Sequence, residues 1–235
     1  MYRLQSIFVD FVLNLYQRVP GPVIHNLAKA RMLKILAWHA NVDGFSGDYL
    51  EFGVAHGNSI RSAQLAFQHS NFKKIGVKSI SRKIWGFDTF ERFISENELD
   101  SHPLWNGDKF NVPLEKVRKR FKTKDINFIK VDANNLFKDG NITSPSEFRI
   151  NAKAAFILFD MDLYSPTFSA LVFSRSLLQQ GTFLIFDEYF SFKGDINKGE
   201  AKALSDFMFM YPEVKLRDFM NYGSGGKVFI VSSVG

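Results

Sequence analysis

The 235-residue chain contains no cysteine. Without thiols it can form no disulfide framework, no thiolate zinc site, no iron–sulfur cluster and no cysteine nucleophile. Any bound metal must therefore be held by Asp, Glu, His or backbone oxygen. The remaining composition is typical of a folded domain, with 46% hydrophobic and 23% charged residues. The net charge of +6 permits an anionic partner but does not require one.

Long apolar runs are also lacking. A membrane-spanning helix needs roughly 20 consecutive apolar residues. The two best stretches, residues 163–174 and 176–186, are separated by Arg175 and interrupted by a proline and a glycine. Near the start of the chain, Asp10 breaks the apolar run and no small-residue cleavage site follows. We therefore predict a soluble, cytoplasmic protein with no membrane span.

Several motifs of well-known enzyme classes are missing. The chain has no G-x-G-x-x-G, no G-x-x-x-x-G-K-[ST] and no G-x-S-x-G, which disfavours a nicotinamide cofactor, a P-loop and a hydrolase triad. The five histidines form no H-x-H or H-E-x-x-H pattern. His56 lies in a glycine loop and can border a ligand there. The other four are expected to be surface or core side chains: His25, His39, His69 and His102.

What the sequence does contain is an alternation of strand and helix patterns from residue 47 onward. Apolar runs predict strands at residues 48–54, 84–87, 126–131, 154–159 and 182–186. Helical periodicity lies between them at residues 59–68, 114–121, 167–179 and 198–210. Strands that alternate with helices pair in parallel, which predicts a doubly wound α/β sheet. A glycine-rich turn at residues 223–226 predicts a terminal hairpin that adds an antiparallel strand at the sheet edge.

Residues 1–42 have a different pattern, with two helical stretches separated by Pro20-Gly21-Pro22. The first carries one continuous apolar stripe, so these helices are expected to cap the core or a subunit interface. A membrane-surface helix is the less favoured alternative, because the polar face has few basic residues. We thus predict one domain at residues 43–235 with a helical extension at 1–42, and a homodimer formed through that extension.

Ligands of open α/β sheets bind at the carboxyl ends of the strands, so the residues found there are candidates for the site. The first strand ends in the glycine loop E-F-G-V-A-H-G-N-S at residues 51–59. Asp88 follows the second strand, where an acid can bind ribose hydroxyls, and Asp132 with Ala133 follows the third, where they can frame a base. The structural alternatives are a tight connection for the loop and helix caps for the two acids.

Two acidic pairs follow the fourth and fifth strands, Asp160 with Asp162 and Asp187 with Glu188. Four carboxylates at neighbouring strand ends repel one another unless a cation lies between them. Oxygen ligands favour Mg²⁺, Mn²⁺ or Ca²⁺. The alternative is a set of exposed acids that cap two helices.

Four blocks of the sequence, residues 51–59, 85–91, 159–167 and 181–189, together resemble the macrocin O-methyltransferase (TylF-type) family. The most specific part is D-x-D-L-Y-x-x-T followed by a glycine and D-[DE]-Y. Trp105-Asn106-Gly107 and Phe110 also match the central region of that family. The resemblance covers residues 47–233 and implies a Rossmann-like class I methyltransferase sheet of seven strands, the last one antiparallel.

The resemblance also implies roles for individual residues. Asp162 would be the general base, and Asp160 would take part both in catalysis and in binding the cofactor. Mg²⁺ would be bound by Asp160, Asp187 and Glu188. S-adenosylmethionine would be bound by Glu51, Gly53, Gly57, Asn58, Ser59, Asp88, Thr89, Asp132 and Ala133.

The chain departs from the family pattern at three places. Glu188 stands where the second acid is usually Asp, one methylene shorter. Arg92-Phe93-Ile94 replaces Gly-Leu-Pro, and Thr182 replaces a common second glycine, a change that we interpret as harmless.

The function that we predict is an S-adenosylmethionine-dependent, Mg²⁺-assisted O-methyltransferase. Its acceptor would be a hydroxyl of a small molecule or sugar, with a vicinal diol or catechol-like geometry. One alternative is an RNA methyltransferase that uses the basic stretch 116–124, although nearby aromatic residues are too few to suggest a stacking platform. Another is a non-catalytic cofactor-binding or assembly protein.

Overall fold

The computed structural model describes residues 2–69, 80–91, 102, 112–148 and 153–235. Its helices are α1 (Tyr2–Gln17), α2 (Gly21–Val42), α3 (Asn58–His69), α4 (Leu114–Arg120), α5 (Tyr164–Ser174) and α6 (Gly199–Met210). Its strands are β1 (Asp48–Phe52), β2 (Ile84–Asp88), β3 (Ile126–Lys130), β4 (Phe137–Lys138), β5 (Asn141–Ile142), β6 (Ala154–Phe159), β7 (Phe183–Phe186), β8 (Lys215–Tyr222) and β9 (Gly226–Ser233).

Seven of these strands form one sheet in the order β3-β2-β1-β6-β7-β9-β8, while β4 and β5 form a separate small hairpin. The five strands from β3 to β7 in this order are parallel to their neighbours, as the alternation of strands and helices predicts. The chain proceeds outward from β1 to β3 and then returns to β6 beside β1. The gap between β1 and β6 is therefore the topological switch point of the sheet.

The terminal hairpin is present, but the expected position of its antiparallel strand at the sheet edge is wrong. Strand β9 pairs antiparallel with both β7 and β8, so it lies inside the sheet and β8 forms the edge. The burial of the two strands explains the order. β9 carries the buried residues Val228, Phe229 and Val231, whereas β8 is largely exposed or half-buried.

A row of stacked phenylalanines crosses the sheet at the carboxyl end of its central strands. Phe87, Phe52, Phe159 and Phe186 are register partners on β2, β1, β6 and β7. Successive ring centroids lie 4.7, 5.7 and 5.0 Å apart. The high phenylalanine content of the chain thus builds the core. The residues after these four phenylalanines, Gly53, Asp88, Asp160 and Asp187, lie side by side along the same edge.

Helices α5 and α6 pack on this phenylalanine face, and α2, α3 and α4 pack on the other. Helix α2 is an integral part of the second layer, because Met32, Leu33, Leu36 and Ala37 are fully buried. Helix α1 behaves differently. Its apolar side chains from residue 7 onward are exposed, with Phe8 at 67%, so in this chain α1 does not cap the core.

The contribution of α2 to the core gives a stability prediction. Replacing the fully buried Leu36 by alanine should lower the free energy of unfolding by about 2–5 kcal/mol, because it leaves a cavity. Leu27 of the same helix is 66% exposed, and Leu27→Ala should change stability by less than about 0.5 kcal/mol. Denaturant titration of both variants checks this. Equal effects would mean that α2 is not packed on the sheet.

Two further sequence-based expectations can be compared with the structure. None of the described helices is long and apolar enough to cross a membrane. Thr182 is fully buried, and its hydroxyl donates to the Ala154 carbonyl at 2.7 Å, so it fits where a glycine is common. The departure from the family pattern at residues 92–94, the motif at 105–107 and Phe110 lie outside the described residues.

Candidate active site

The glycine loop after β1 turns sharply because Gly53 has a φ of +91°. A Cβ at this position would lie 1.9 Å from the Asp160 carbonyl oxygen, so only glycine allows β1 and β6 to meet here. Ala55 also has a positive φ, of 44°. The loop is thus folded tightly against the switch point of the sheet.

Asp88 supports this loop from the end of β2. Its Oδ2 accepts hydrogen bonds from the backbone N–H groups of Val54 at 2.7 Å and Ala55 at 2.9 Å. Its Oδ1 accepts from the Phe90 N–H at 2.8 Å. Asp88 therefore holds the glycine loop in place rather than capping a helix.

Glu51 lies below the glycine loop and is fully buried. It accepts hydrogen bonds from the Tyr49 hydroxyl at 2.5 Å and the Ser59 hydroxyl at 2.6 Å. Burial raises the pKa of Glu51 to about 8, although these two donors act against the shift. Glu51 thus fixes the start of α3 from beneath.

Gly57, in the same loop, has a packing role. A Cβ at Gly57 would lie 2.8 Å from the Phe121 ring, so this glycine lets the loop pack against the end of α4.

A cavity of about 640 Å³ opens above these residues, within the range typical of small-molecule sites. The structure brings most of the sequence-predicted site residues together in its wall. Glu51 and Gly57 are the exceptions, since neither lines it. The lining includes Gly53, Asn58, Ser59, Asp88, Thr89, Asp132, Ala133, Asp160, Asp162, Asp187 and Glu188.

Asp132 has the geometry of its structural alternative. It caps the short 3-10 helix Ala133–Asn135 by accepting from the Asn134 N–H at 3.0 Å. It nevertheless lines the cavity together with Ala133 and Val131, at the strand end farthest from the acidic pairs. Capping and ligand contact are compatible here.

At the other end of the cavity, a buried lysine from α2 lies between the two acidic strand ends. The Lys29 ammonium donates to Asp160 Oδ2 at 2.7 Å and to Asp187 Oδ2 at 2.6 Å. The Lys29 side chain is only 6% exposed. Burial acts to lower the pKa of Lys29, but the two carboxylates raise it above its ordinary value, so the amine stays charged.

The second oxygen of Asp187 is also bound. Its Oδ1 accepts from the Tyr222 hydroxyl at 2.6 Å and lies 3.0 Å from His25 Nε2. The Ser224 N–H donates to His25 Nδ1, which places the ring proton on Nε2, facing Asp187. Burial would raise the pKa of Asp187, but Lys29 and His25 lower it to about 2.

The remaining acids of the cluster have raised pKa values. Burial and the neighbouring Asp187 raise the pKa of Asp160 to about 6, and burial with Asp160 raises that of Asp162 to about 7. For Glu188 and Glu200, burial and nearby carboxylates raise the pKa well above the ordinary value. A hydrogen bond between the Glu188 and Asp162 side chains acts in the other direction on Asp162 and favours its ionised form.

The Mg²⁺ ligand set implied by the resemblance does not fit an ion in this arrangement. Asp160 and Asp187 both turn Oδ2 toward the Lys29 ammonium, and Asp187 Oδ1 is bound by Tyr222 and His25. Two other groupings bring ligand atoms within 4.8 Å of one another, Asp160 with Asp162 and Glu188, and His25 with Asp187 and Glu188. Each of these lacks part of the implied set.

Sequence reasoning missed four residues of the site: His25, Lys29, Glu200 and Tyr222. His25 was expected to be a surface or core side chain, and that expectation is wrong because its ring contacts Asp187. Glu200, at the start of α6, accepts from the Glu188 N–H at 2.9 Å. For His25 and Lys29 the sequence carries a weak signal of burial. The two residues are one helical turn apart, on the stripe that continues to Met32 and Leu33.

The strand order, with an antiparallel strand inserted between two parallel ones, and a glycine loop and strand-end acids around one cavity define a class I methyltransferase fold. The model of the family macrocin-O-methyltransferase (TylF) matches residues 22–207, and the chain belongs to this family of S-adenosylmethionine-dependent O-methyltransferases. The match begins within α2, so the family's common part includes α2 and starts before residue 47, where the resemblance was expected to begin.

Solved structures show the same fold. The chain is 16% identical to the O-methyltransferase NovP, over 87% of this chain and 80% of that one, with a TM-score of 0.63. It is 20% identical to the calicheamicin methyltransferase CalS11, over 87% and 79%, with a TM-score of 0.59. An O-methyltransferase from Bacillus cereus, solved with SAH, is 14% identical over 97% and 89%, with a TM-score of 0.51. No curated protein matches the chain.

Proposed function

We propose that this protein transfers a methyl group from S-adenosylmethionine to a hydroxyl of a sugar or another small molecule, with Asp162 as general base. The observation that carries the proposal is that the glycine loop, Asp88 and Asp162 all line the same cavity. Cofactor and acceptor can therefore meet within one enclosure. A sugar acceptor is consistent with a structural relative, since CalS11 is described as a TDP-rhamnose 3'-O-methyltransferase.

The cofactor, when bound, supplies an electrophilic methyl group on a sulfonium. The residues of the chain then orient the acceptor and move one proton. The acceptor hydroxyl gives its proton to the Asp162 carboxylate, its oxygen forms a bond to the methyl carbon, and the sulfur keeps the electron pair of the broken bond. The products are a methyl ether and S-adenosylhomocysteine, and Asp162 later releases its proton to water.

Asp162 is suited to this role by its backbone and its surroundings. Its φ of +65° lies in the left-handed region, which is sparsely populated for residues other than glycine and is often used at functional sites. Its pKa of about 7 matches a base that works near neutral pH. A hydrogen bond with the neighbouring Glu188 side chain favours its ionised form.

The resemblance implies Mg²⁺, but Lys29, Tyr222 and His25 already bind the carboxylates of Asp160 and Asp187, and the proposed reaction does not use the ion. A vicinal diol or catechol-like acceptor, a cytoplasmic location and a homodimer through the N-terminal helices stay predictions. The exposed apolar side chains of α1 are consistent with the homodimer.

The RNA alternative gains no support from the basic stretch. Arg120, at the end of α4, donates both to the His56 carbonyl and to Asn58 Oδ1, each at 2.7 Å. It thus supports the glycine loop. Arg118 is paired with Glu115 on the exposed face of the same helix, at 3.3 Å.

Titration calorimetry with S-adenosylhomocysteine tests the cofactor half of the proposal. We expect one molecule to bind per chain. Asp88→Ala should weaken binding by about 1–3 kcal/mol, or roughly 5- to 150-fold, because the loop N–H groups lose their acceptor. The exposed Asp125, at the opposite end of the sheet, provides the control Asp125→Ala, which should bind as the wild type does.

The absence of any cofactor binding to the wild-type protein would contradict the proposal and favour a non-catalytic role. The acceptor half is tested by mass spectrometry of sugar and phenol panels after incubation with S-adenosylmethionine. A gain of one methyl group identifies the acceptor class.

A further inference from the structure

The positive charge between the acidic strand ends of the active site is supplied by a lysine side chain of the protein. Lys29 reaches from α2 to the carboxyl ends of β6 and β7, where its ammonium lies within 2.7 Å of one oxygen of Asp160 and one of Asp187. These are two of the three residues to which the resemblance gives a divalent cation. The ammonium thus occupies the point at which both carboxylates converge.

Lys29 is held firmly in this position. The next turns of α2 bury Met32, Leu33 and Leu36 completely in the sheet core, so the helix cannot slide without opening that core. One turn before Lys29, His25 binds Asp187 Oδ1 and the β8–β9 turn through Ser224. An ion that entered between the two carboxylates would have to displace the ammonium and leave it buried without a partner, which is strongly unfavourable.

We propose that Lys29 is the resident cation of this active site and takes the place between Asp160 and Asp187 that the family resemblance assigns to Mg²⁺, so that methyl transfer needs no divalent cation. The part that concerns methyl transfer rests on the proposed function, whereas the part that concerns cation binding does not.

The proposal also bears on the choice of acceptor. Two of the three ammonium N–H groups bind carboxylates, and Lys29 lines the cavity, so the third can donate to the acceptor oxygen that loses its proton to Asp162. A preorganised positive charge beside a developing alkoxide lowers the barrier of such a step. An ammonium binds one oxygen where a metal ion would chelate two. The acceptor therefore needs a single hydroxyl and not a vicinal pair.

The cation half is tested with Mn²⁺ as the probe, followed by electron paramagnetic resonance of the free ion. Wild-type protein saturated with S-adenosylhomocysteine should bind Mn²⁺ only at millimolar concentrations. Lys29→Gln exposes the two carboxylates to the ion, and its Mn²⁺ affinity should rise by about tenfold or more. The matched control is Lys34→Gln, an exposed lysine of the same helix, which should behave as the wild type does.

Two results would overturn the proposal. One is micromolar binding of Mn²⁺ to the wild-type protein that disappears in Asp160→Asn. The other is an equal Mn²⁺ affinity of Lys29→Gln and Lys34→Gln in folded protein. The wild-type measurement stays decisive if Lys29→Gln does not fold. Circular dichroism of each variant and of Lys29→Arg, which keeps the charge, establishes which samples are folded.

The catalytic half is tested by turnover of wild-type protein after dialysis against EDTA. The rate should stay within about twofold of that with added Mg²⁺, and a loss of most activity that Mg²⁺ restores would overturn the proposal. Calorimetry with S-adenosylhomocysteine on the same samples separates the two hypotheses. Failure of the proposed function shows as absent cofactor binding, whereas failure of the Lys29 proposal shows as cofactor binding combined with metal dependence.

Discussion

Replacing Asp162 by asparagine is expected to lower kcat by roughly 10²–10⁴-fold, the usual contribution of a general base. Asparagine is nearly isosteric and tolerates the left-handed backbone of this position, so the fold and the cofactor site should be kept. Asp139→Asn is the matched control, since Asp139 also has a positive φ, of 51°, but is exposed and lies away from the cavity. Turnover and cofactor affinity of both variants provide the measurement.

The pH dependence of the wild-type enzyme gives a second signature of the same residue. Only ionised Asp162 accepts a proton, and its pKa is raised to about 7. The rate should therefore rise with pH below about 7 and level off above it. This rising limb should be absent from the residual activity of Asp162→Asn. If Asp162→Asn retained wild-type turnover, the proton would have to go to another group.

The second large effect is expected for Gly53→Ala. A methyl group at this position would lie 1.9 Å from the Asp160 carbonyl oxygen, which belongs to the backbone and cannot rotate away. The strand ends of β1 and β6 must then separate, and the cavity between them loses its shape. We expect S-adenosylhomocysteine binding to be lost and the free energy of unfolding to fall by about 1–3 kcal/mol or more.

Gly44 provides the control for backbone strain alone. It has a φ of +69°, and a Cβ there would meet no atom within 4 Å. Gly44→Ala should therefore show only the modest cost of a left-handed alanine, about 1–2 kcal/mol, and should bind the cofactor normally. Cofactor binding by Gly53→Ala equal to that of Gly44→Ala would show that the contact of β1 with β6 does not shape the site.

Much of the site could be predicted from the sequence because its residues follow a local pattern. Each of the four central strands has a phenylalanine at its last or next-to-last position, and the residue after it is Gly53, Asp88, Asp160 or Asp187. Parallel strands in register bring these endings to one edge, so residues far apart in sequence meet without further information. The order of the terminal hairpin could not be read in this way. Which of β8 and β9 becomes internal depends on their packing against β7, and both have strand-like sequences.

The roles of Glu51 and Gly57 show another limit of the linear pattern. Both stand in the glycine loop motif, and both were expected at the cofactor. In the folded chain neither residue lines the cavity. Glu51 accepts hydrogen bonds from Tyr49 and Ser59, and Gly57 packs closely against the Phe121 ring. A motif identifies the loop, but only three-dimensional packing decides which of its residues face the cavity.

The absence of cysteine means that any metal in the site could be held only by Asp, Glu, His or backbone oxygen. The sequence by itself determined the sheet, the acidic strand ends and the family resemblance, because these depend on short-range patterns. Only the tertiary structure decided that Lys29 lies among the acids, since the contact with Asp160 joins positions 131 residues apart. A lysine on an amphipathic helix usually faces solvent, and it is the docking of α2 onto the sheet that buries this one.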